Sequence, residues 1–373
     1  MDKLFTVVDR WLAIKDRECI KIVLCVVIHA AMPGDPLWLL IVGAPGATKT
    51  ELARSLTKVK HRGQDFVYPV DTLGPHTLVS GLVVEGGSDP SLLPLINDKL
   101  LVIKDLSDIV SHSWNDQKAV YADLRQAYDG YLQKPFGSGA GRRGGRSHFG
   151  ILACATSVID NFNVLTQQLG ERFLRVRPQI DEDAAVDKAN EVAGWEETMR
   201  EELRSAFCDT LEPLLATLNV DAILAVPPDP RIIPLAKLVA AMRSEVERDR
   251  NRMVKRRPER EVGTRLVKQL TALYRMATHV GVADGYALVR RVARDSIPSY
   301  RLDIMRAIQG ADWWTIDEIS TLADIPYNTC RERLEDMSLL GVLEASGSGT
   351  RGNPYEYRVS DRYTKMLGEA QLL

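Results

Sequence analysis

Apolar residues along the chain fall into two patterns, one typical of helices and one typical of buried strands. Over residues 2–31 they recur at helical spacing, which predicts two amphipathic helices. Unbroken apolar runs of strand length follow at residues 37–42, 100–103 and 151–155, with polar residues or glycine after each. Because helical stretches separate these runs, the sequence predicts an α/β fold with a parallel sheet covered by helices on both faces.

The C-terminal part of the chain predicts three helices followed by a β-hairpin. The second helix starts at a capping box formed by Thr315 and Glu318, and the turn of the hairpin contains Arg351. The three helices are expected at residues 299–308, from residue 315 onwards, and at residues 327–340. The two strands are expected at residues 343–345 and 355–359. This order resembles a winged helix, a module that binds DNA or docks on other proteins.

The composition is that of a globular protein with more than one domain. The 373 residues are 45% hydrophobic and 26% charged, with a formal net charge of -2. A single core seldom grows past roughly 250 to 300 residues, so two or three domains are expected, and one large domain with a small one fits. With so small a net charge, attraction to nucleic acid must come from local basic patches. Residues 243–261 are dense in charge of both signs and predict a solvated helix end or loop.

The cysteines and the N-terminus indicate a cytoplasmic protein. The five cysteines are odd in number and lack the close pairs typical of zinc sites, which predicts reduced thiols. The first residues show no signal-peptide pattern, and the apolar stretch at residues 20–32 is too short to span a bilayer. We therefore expect no membrane partner.

A phosphate-binding loop is predicted directly after the first apolar run. It consists of Gly43, Ala44, Pro45, Gly46, Ala47, Thr48, Lys49 and Thr50. A strand before the loop and a helix after it are the context a P-loop requires, because backbone N–H groups and the helix N-terminus then surround phosphates. Lys49 is expected to contact the β- and γ-phosphates of ATP, and Thr50 to ligate Mg²⁺. Thr48 replaces the usual glycine, which favours binding over fast turnover; the alternative is a strand-to-helix turn capped by Thr48.

An acid that holds magnesium is predicted at the end of the second apolar run, where AAA+ proteins carry Asp-Glu. In one register Asp105 is this acid and Leu106 replaces the catalytic glutamate. In the other register Lys104 replaces the acid and Asp105 stands at the catalytic position. Asp108 is a reserve candidate, and a capping aspartate after a buried strand is the plain alternative. The sequence leaves these possibilities open.

The order of these motifs resembles the MCM group of AAA+ ATPases, which are DNA helicases. The resemblance covers about residues 37–180, continues more weakly to the C-terminus, and is distant. Residues 78–84 and 89–93 fall where MCM proteins insert a pore-facing segment. Residues 124–134 resemble the helix and strand that lead to the family's presensor hairpin, whose tip is expected at 139–147.

Six arginines are the predicted DNA contacts. They are Arg142, Arg143 and Arg146, set among glycines in the first hairpin, and Arg331, Arg333 and Arg351 in the C-terminal segment. Arginine forks match phosphate geometry, and glycine lets a loop approach a phosphate closely. The alternatives are a solvated basic loop for the first group and a protein-docking module for the second, which has acidic neighbours.

The resemblance also implies three residues that assist catalysis. Thr156 stands where the family has its sensor-1 asparagine and would orient the attacking water. Arg172 would be the finger that reaches the neighbouring subunit's site, with an interface or surface ion pair as the alternative. Arg265 resembles the sensor-2 arginine of a lid helix, with a solvent-facing helix charge as the alternative.

These observations predict an AAA+ core with N-terminal helices at 1–180, a helical lid or linker at 181–295 and a winged helix at 296–373. The expected function is an ATP-dependent DNA-binding motor, a helicase or translocase, that works as a homo-hexamer because a finger acts only across an interface. The alternative is an ATP-switched DNA-binding assembly or regulatory factor with slow or no hydrolysis. A partner protein would replace the N-terminal collar of MCM proteins.

Overall fold

The structure is a computed structural model that describes residues 1–46, 48–83, 89–137, 140–162, 171–308, 310, 312–350 and 352–373. Ala47 of the predicted phosphate loop and Arg351 of the predicted DNA contacts therefore lie outside the described residues. The chain divides into two compact units. The first comprises Met1–Pro227 and Ala272–Leu288, and the second comprises Pro228–Thr271 and Val289–Leu373.

The first unit is an α/β structure. Its described strands are β1 (Trp38–Val42), β2 (Lys60–His61), β3 (Gln64–Asp65), β4 (Val67–Val70), β5 (Leu100–Ile103), β6 (Tyr131–Phe136), β7 (Gly141–Arg146), β8 (Gly150–Ala155) and β9 (Phe173–Val176). Its described helices are α1 (Asp2–Trp11), α2 (Arg17–His29), α3 (Lys49–Ser55), α4 (Leu93–Ile96), α5 (Trp114–Tyr128), α6 (Glu182–Val192), α7 (Glu196–Ala216) and α8 (Val220–Leu224), with 3₁₀ helices at Ser107–Ser111 and Ser157–Phe162.

A parallel sheet in the order β4-β5-β8-β1-β9 forms the centre of this unit. Along β1, Trp38, Leu40 and Val42 pack in a buried cluster that includes residues of α5. Leu39 and Ile41 point to the other face of the pleat and are equally buried, and α2 contacts both β1 and β8. The expected central parallel sheet flanked by helices is confirmed, as are the two N-terminal helices and the three predicted strands.

The rest of the chain is mainly helical with a small antiparallel sheet. Its described helices are α9 (Ile232–Arg243), α10 (Thr264–His279), α11 (Gly285–Asp295), α12 (Ser299–Ala307), α13 (Ile316–Leu322), α14 (Tyr327–Leu339) and α15 (Asp361–Ala370), and its strands are β10 (Trp314–Thr315), β11 (Leu343–Ser346) and β12 (Glu356–Val359). Helices α10 and α11 each have residues in both units.

The elements predicted for the C-terminal segment are present in the second unit. Helix α13 begins at the expected capping box, in which Thr315 accepts from the Glu318 N–H and Glu318 accepts from the Thr315 N–H. Strands β11 and β12 pair as an antiparallel hairpin, and β10 adds to the β12 edge. Three helices and a hairpin therefore follow one another as the local sequence signals predicted.

Residues 243–261 form a helix end followed by a loop, as expected, and most of residues 249–260 are exposed, but Arg248 ties the segment to the rest of the unit. Arg248 Nη2 lies 2.6 Å from Asp336 Oδ1 and 3.0 Å from Glu335 Oε2, both on α14. Asp336 is fully buried, and the buried Arg301 guanidinium lies 3.6 Å from its second oxygen. A buried carboxylate requires such partners, because an unpaired charge inside a protein is costly. The segment is therefore part of the folded second unit.

All five cysteines lie in described ranges, and none of them forms a disulfide. Cys19, Cys25, Cys154 and Cys330 are buried, whereas Cys208 on α7 is only half-buried. Within the described part of the chain, no helix has both the length and the apolar character that crossing a bilayer demands.

Candidate functional site

The carboxyl ends of β1, β5 and β8 meet at one edge of the sheet. Just after β1, the Gly43 N–H donates to the Ala155 carbonyl at the end of β8, with 3.1 Å between the heavy atoms. Just after β5, the Leu106 N–H donates to the Cys154 carbonyl at 2.8 Å. Open α/β sheets bind ligands outside the carboxyl ends of their strands, so this edge is the candidate site.

Lys49 is the cation of the predicted phosphate loop, and its side chain is enclosed. Its side-chain Nζ donates to the carbonyls of Gly43 and Ala44 at 2.8 and 2.6 Å, and the residue is 7% exposed. Burial lowers the pKa of Lys49, while the negative charge of Asp105 partly opposes this shift. Both hydrogen-bond acceptors are neutral, so the ammonium can exchange them for phosphate oxygens when an anion enters.

Thr48 departs from the ordinary loop in its backbone as well as in its side chain. Its φ of 53° is left-handed, a conformation that suits glycine and strains a β-branched residue. The hydroxyl is buried, has no hydrogen-bond partner among the described residues and does not cap α3. The capped turn that sequence alone allowed is therefore not formed here. An orphaned donor at this position suits a phosphate oxygen.

Asp105 and Lys104, the two residues after β5, have different partners. Lys104 Nζ bonds to Asp71 Oδ1 at 2.7 Å, next to strand β4. The exposed Asp105 accepts from the Ser107 N–H at 2.8 Å, and its charge acts on Lys49. Both registers that the sequence leaves open place Asp105 at this edge of the sheet.

In the register in which Asp105 is the magnesium acid, Leu106 occupies the position of the catalytic glutamate, and it is buried in the hydrophobic core. Asp108 pairs locally instead, with its carboxylate 3.7 Å from the His112 ring nitrogen and 3.3 Å from the Ser111 hydroxyl. Thr50, the other predicted magnesium ligand, is a half-buried residue in the first turn of α3. In that register Asp105 is an acid for a metal and Leu106 stands in place of a base, while Asp71, whose carbonyl accepts from the Asp105 N–H at 3.0 Å, is a second exposed acid beside it.

Ser107 links two strands of the site, a role that sequence reasoning missed. Its Oγ accepts from the Thr156 N–H at 2.7 Å and from the Thr156 hydroxyl at 3.2 Å. Ser107, which lies two positions after Asp105, thus holds the predicted sensor residue Thr156 between the ends of β5 and β8. The only sequence signal was a serine shortly after the acid, which is too common to be informative.

Arg172 takes part in an ion pair within its own chain. Its Nη2 lies 3.1 and 3.2 Å from the two oxygens of Asp129, and its guanidinium carbon is 5.6 Å from the Tyr128 ring centroid. The side chain is 8% exposed. Arg265, the other arginine predicted to assist catalysis, is a half-buried residue of the second unit, near the start of α10.

The first hairpin differs from its predicted form. Strands β6 and β7 pair from Tyr131–Arg146 to Phe136–Gly141, so residues 141–146 of the tip predicted at 139–147 are a strand, and that part of the prediction is wrong. Residue 139 lies outside the described residues. Glycines in β7 suggested a loop, but one of them serves close packing. At Gly144, with φ of 94°, a Cβ would lie 2.1 Å from the Leu132 carbonyl oxygen.

The three arginines of β7 have different surroundings. Arg142 is exposed, and Arg146 is 73% exposed beside Asp98 at 3.2 Å. Arg143 is only 11% exposed; its Nη1 lies 3.2 Å from the Ser80 carbonyl, 2.8 Å from the Leu82 carbonyl and 3.3 Å from Asp89 Oδ1. It therefore fastens the hairpin to the preceding segment, whereas Arg142 and Arg146 face solvent.

The predicted DNA contacts of the C-terminal segment also differ. Arg331 on α14 is exposed. Arg333 is half-buried and bonds to Asp336 Oδ2 at 3.0 Å. Helix α14 thus presents one arginine to solvent and uses the other within the unit.

The chemistry of the sheet edge suits a nucleotide with a magnesium ion. No group of three or more His, Cys, Asp or Glu side chains able to hold a metal occurs among the described residues. Magnesium at nucleotide sites needs only one or two protein ligands, because phosphate oxygens and water complete its shell. No protein-family model and no curated protein matches this chain. Its function must therefore be argued from the site itself.

Proposed function

We propose that this chain is an ATP-switched DNA-binding protein that resembles the MCM group of AAA+ ATPases and hydrolyses ATP slowly. The supporting observation is the enclosed Lys49 ammonium, held by loop carbonyls at the carboxyl edge of a parallel sheet and under the charge of Asp105. Lys49 would bind the β- and γ-phosphates, and the Thr48 hydroxyl would donate to a phosphate oxygen. Thr50 and Asp105 would hold Mg²⁺, which neutralises phosphate charge when bound.

Slow hydrolysis is supported by the residues that follow Asp105. Attack by water is fastest when a side chain orients the water and accepts its proton. The buried Leu106 offers no such group. Thr156 and Ser107 can orient a water through their hydroxyls, but a neutral hydroxyl is a poor proton acceptor at physiological pH. ATP would therefore remain bound long enough to act as a state signal.

DNA binding is supported by exposed arginines in both units. Arg142 and Arg146 line the outer side of β7, and Arg331 projects from α14. Helices α12 to α14 and the β11–β12 hairpin have the order of a winged helix, in which the third helix enters the major groove. We propose that these cations contact backbone phosphates, since arginine binds phosphate well without reading the sequence.

A ring-forming motor is the second candidate, and one observation favours it. Arg143 joins the β6–β7 hairpin to the segment around Ser80 and Leu82, so the two elements that the MCM resemblance places in a central pore are fastened together. Coupled elements of this kind suit a machine that moves DNA through a channel. The motor needs rapid turnover, which separates it from the switch.

The test is a comparison of Lys49→Ala with Lys104→Ala, a matched loss of one lysine near the same edge. Binding of a fluorescent ATP analogue with Mg²⁺ should weaken at least tenfold in Lys49→Ala, because a charge-assisted hydrogen bond contributes about 1.5–3 kcal/mol. Lys104→Ala should bind within about twofold of wild type, since Lys104 pairs with the exposed Asp71. Equal affinity of both variants would refute the site. DNA-stimulated turnover near 10 s⁻¹, an ordinary enzymatic rate, would favour the motor.

A further inference from the structure

A basic pocket lies on the surface of the second unit, and none of its lining residues is among the predicted nucleotide or DNA contacts. Its volume is about 710 Å³. Four stretches of chain line it: helix α9, residues 257–263, the C-terminal end of α14 and the start of α15. All of them belong to the same compact unit.

The cations of this pocket are exposed and make no ion pairs with carboxylates in the described part of the chain. They are Lys237, Arg257, Arg260 and Arg362. The lining also contains Glu259 and Glu261, but Arg243 binds both oxygens of Glu261 at 2.6 and 2.7 Å. The pocket therefore carries a positive excess.

Nearby cations of the same charge-dense segment contrast with those of the pocket. Arg248 pairs with Asp336, Arg252 with Glu332, and Lys255 with Glu247. These pairs neutralise charge inside the unit, as expected where burial or proximity makes a lone charge costly. Exposed arginines left without such carboxylates around a concave surface are suited to an external anion.

Tyr363 gives the pocket a fixed inner wall. It is 2% exposed, and its hydroxyl accepts from Arg260 Nη1 at 3.2 Å. The Arg362 guanidinium carbon lies 5.8 Å from the Tyr363 ring centroid. One arginine is thus oriented by a buried phenol and another lies by the ring, so part of the binding surface is formed before an anion arrives.

We propose that this pocket binds phosphate groups of the DNA backbone. This proposal rests on the proposed DNA binding, and the pocket is the surface through which part of that binding would occur. Helix α14, with 13 residues, is about 20 Å long, whereas the major groove is about 12 Å wide. A helix that brings Arg331 near base edges therefore extends its other end, at Leu339, towards a phosphate strand. That end borders the pocket.

The proposal is tested by measuring how the DNA affinity of the full chain depends on salt concentration. Arg257→Ala/Arg362→Ala is compared with Arg250→Ala/Arg306→Ala, which removes two exposed arginines outside the pocket lining. Each lost phosphate contact lowers the slope of log K against log salt by about 0.9 for duplex DNA. The pocket variant should lose about one to two units of slope, equally on unrelated sequences, and the control should lose less than about half a unit.

A third variant, Arg257→Lys/Arg362→Lys, keeps the charges and should keep most of the slope, which separates lost charge from lost folding. Equal slopes for the two alanine variants would overturn the pocket and leave the proposed function intact. Absence of DNA binding by wild type would overturn the pocket together with the DNA part of that function, while ATP affinity would still report on the nucleotide site. Loss of binding to phosphatidylserine vesicles with an unchanged DNA slope would also overturn it, in favour of a membrane surface.

Discussion

Thr48 shows how one residue can hold strain beside a functional site. A left-handed backbone costs an ordinary residue about 1–2 kcal/mol, and the cost is least for glycine. Thr48 adopts this conformation between Gly46, to whose carbonyl its N–H donates at 2.8 Å, and Lys49 at the start of α3. Strain of this kind persists only where surrounding structure fixes it, and it concentrates at binding sites. The strained backbone at Thr48 is therefore consistent with the proposed phosphate site despite the missing glycine.

Substitutions at the two acids after β5, Asp105 and Asp108, should differ in their effect on Mg²⁺-dependent ATP binding. Asp105→Asn removes the charge that acts on Lys49 but keeps an oxygen for the Ser107 N–H, so folding should be unaffected. We expect the Mg²⁺-dependent gain in ATP affinity to fall about tenfold in this variant. Asp108→Asn should retain the gain, because Asp108 contacts Ser111 and His112. Titration of Mg²⁺ at a fixed nucleotide concentration distinguishes the two variants. A larger loss of the Mg²⁺-dependent gain in Asp108→Asn than in Asp105→Asn would move the metal site to Asp108.

At the scale of elements, the β6–β7 hairpin and the segment before it behave as one piece. Arg143 bonds to the Ser80 and Leu82 carbonyls, and a Cβ added to Gly81 would lie 2.3 Å from the Phe136 ring. Only a residue without a side chain fits at this place, so the segment and the hairpin pack closely. A displacement of the hairpin should therefore be transmitted to the segment through Arg143.

Substitutions at Arg142 and Arg143 should separate binding from coupling. Arg143→Ala removes bonds to two backbone carbonyls and Asp89, so we expect about 1–2 kcal/mol of lost stability and faster hydrogen exchange in β6, β7 and residues 78–83. Arg142→Ala should leave exchange unchanged and reduce the salt dependence of DNA binding by about one phosphate contact. Equal exchange in both variants would show that Arg143 does not join the elements.

Local patterns predicted three of the five strands of the central sheet and the elements of the C-terminal segment, but not the contacts between elements. Strand β5 and the capping box of α13 each depend on a few consecutive residues, so the sequence located both. Arg143 is 63 positions from Ser80, and Arg248 is 88 positions from Asp336, so no spacing rule links either pair. The tip of the hairpin was misplaced because glycine favours loops and also permits close strand contact, as at Gly144.

At the scale of the whole molecule, the proposed oligomer depends on Arg172, which the folded chain already engages. Its guanidinium is bound by both oxygens of Asp129 and lies beside Tyr128. To serve a neighbour's nucleotide, Arg172 must exchange this carboxylate for phosphate, an acceptor of the same kind with greater charge. Subunit assembly and nucleotide binding should therefore be linked energetically.

Mixed assemblies test whether Arg172 acts between subunits. Arg172→Ala should bind ATP normally but release phosphate slowly, while Lys49→Ala should bind ATP poorly; arginine fingers contribute about a thousandfold in efficient enzymes. In a mixture, the first supplies an intact loop and the second an intact arginine to one shared site, so part of the activity should return. Phosphate release under single-turnover conditions detects slow hydrolysis. Mixed oligomers that stay as inactive as their parents would leave Arg172 with its intrachain role alone.

The half-buried Cys208 makes the protein convenient to label without mutagenesis. The other four thiols are buried, so a maleimide dye should attach at one position, at mildly alkaline pH because burial raises the pKa of Cys208. Helix α7, which carries Cys208, is tied to α3 through Arg200, whose Nε and Nη2 each lie 3.2 Å from Glu51 oxygens. Cys208 lies about 12 Å further along the same helix. A dye there would be attached to a helix that contacts α3, which follows the predicted phosphate loop. If the proposed nucleotide site is correct, its emission should respond to nucleotide exchange.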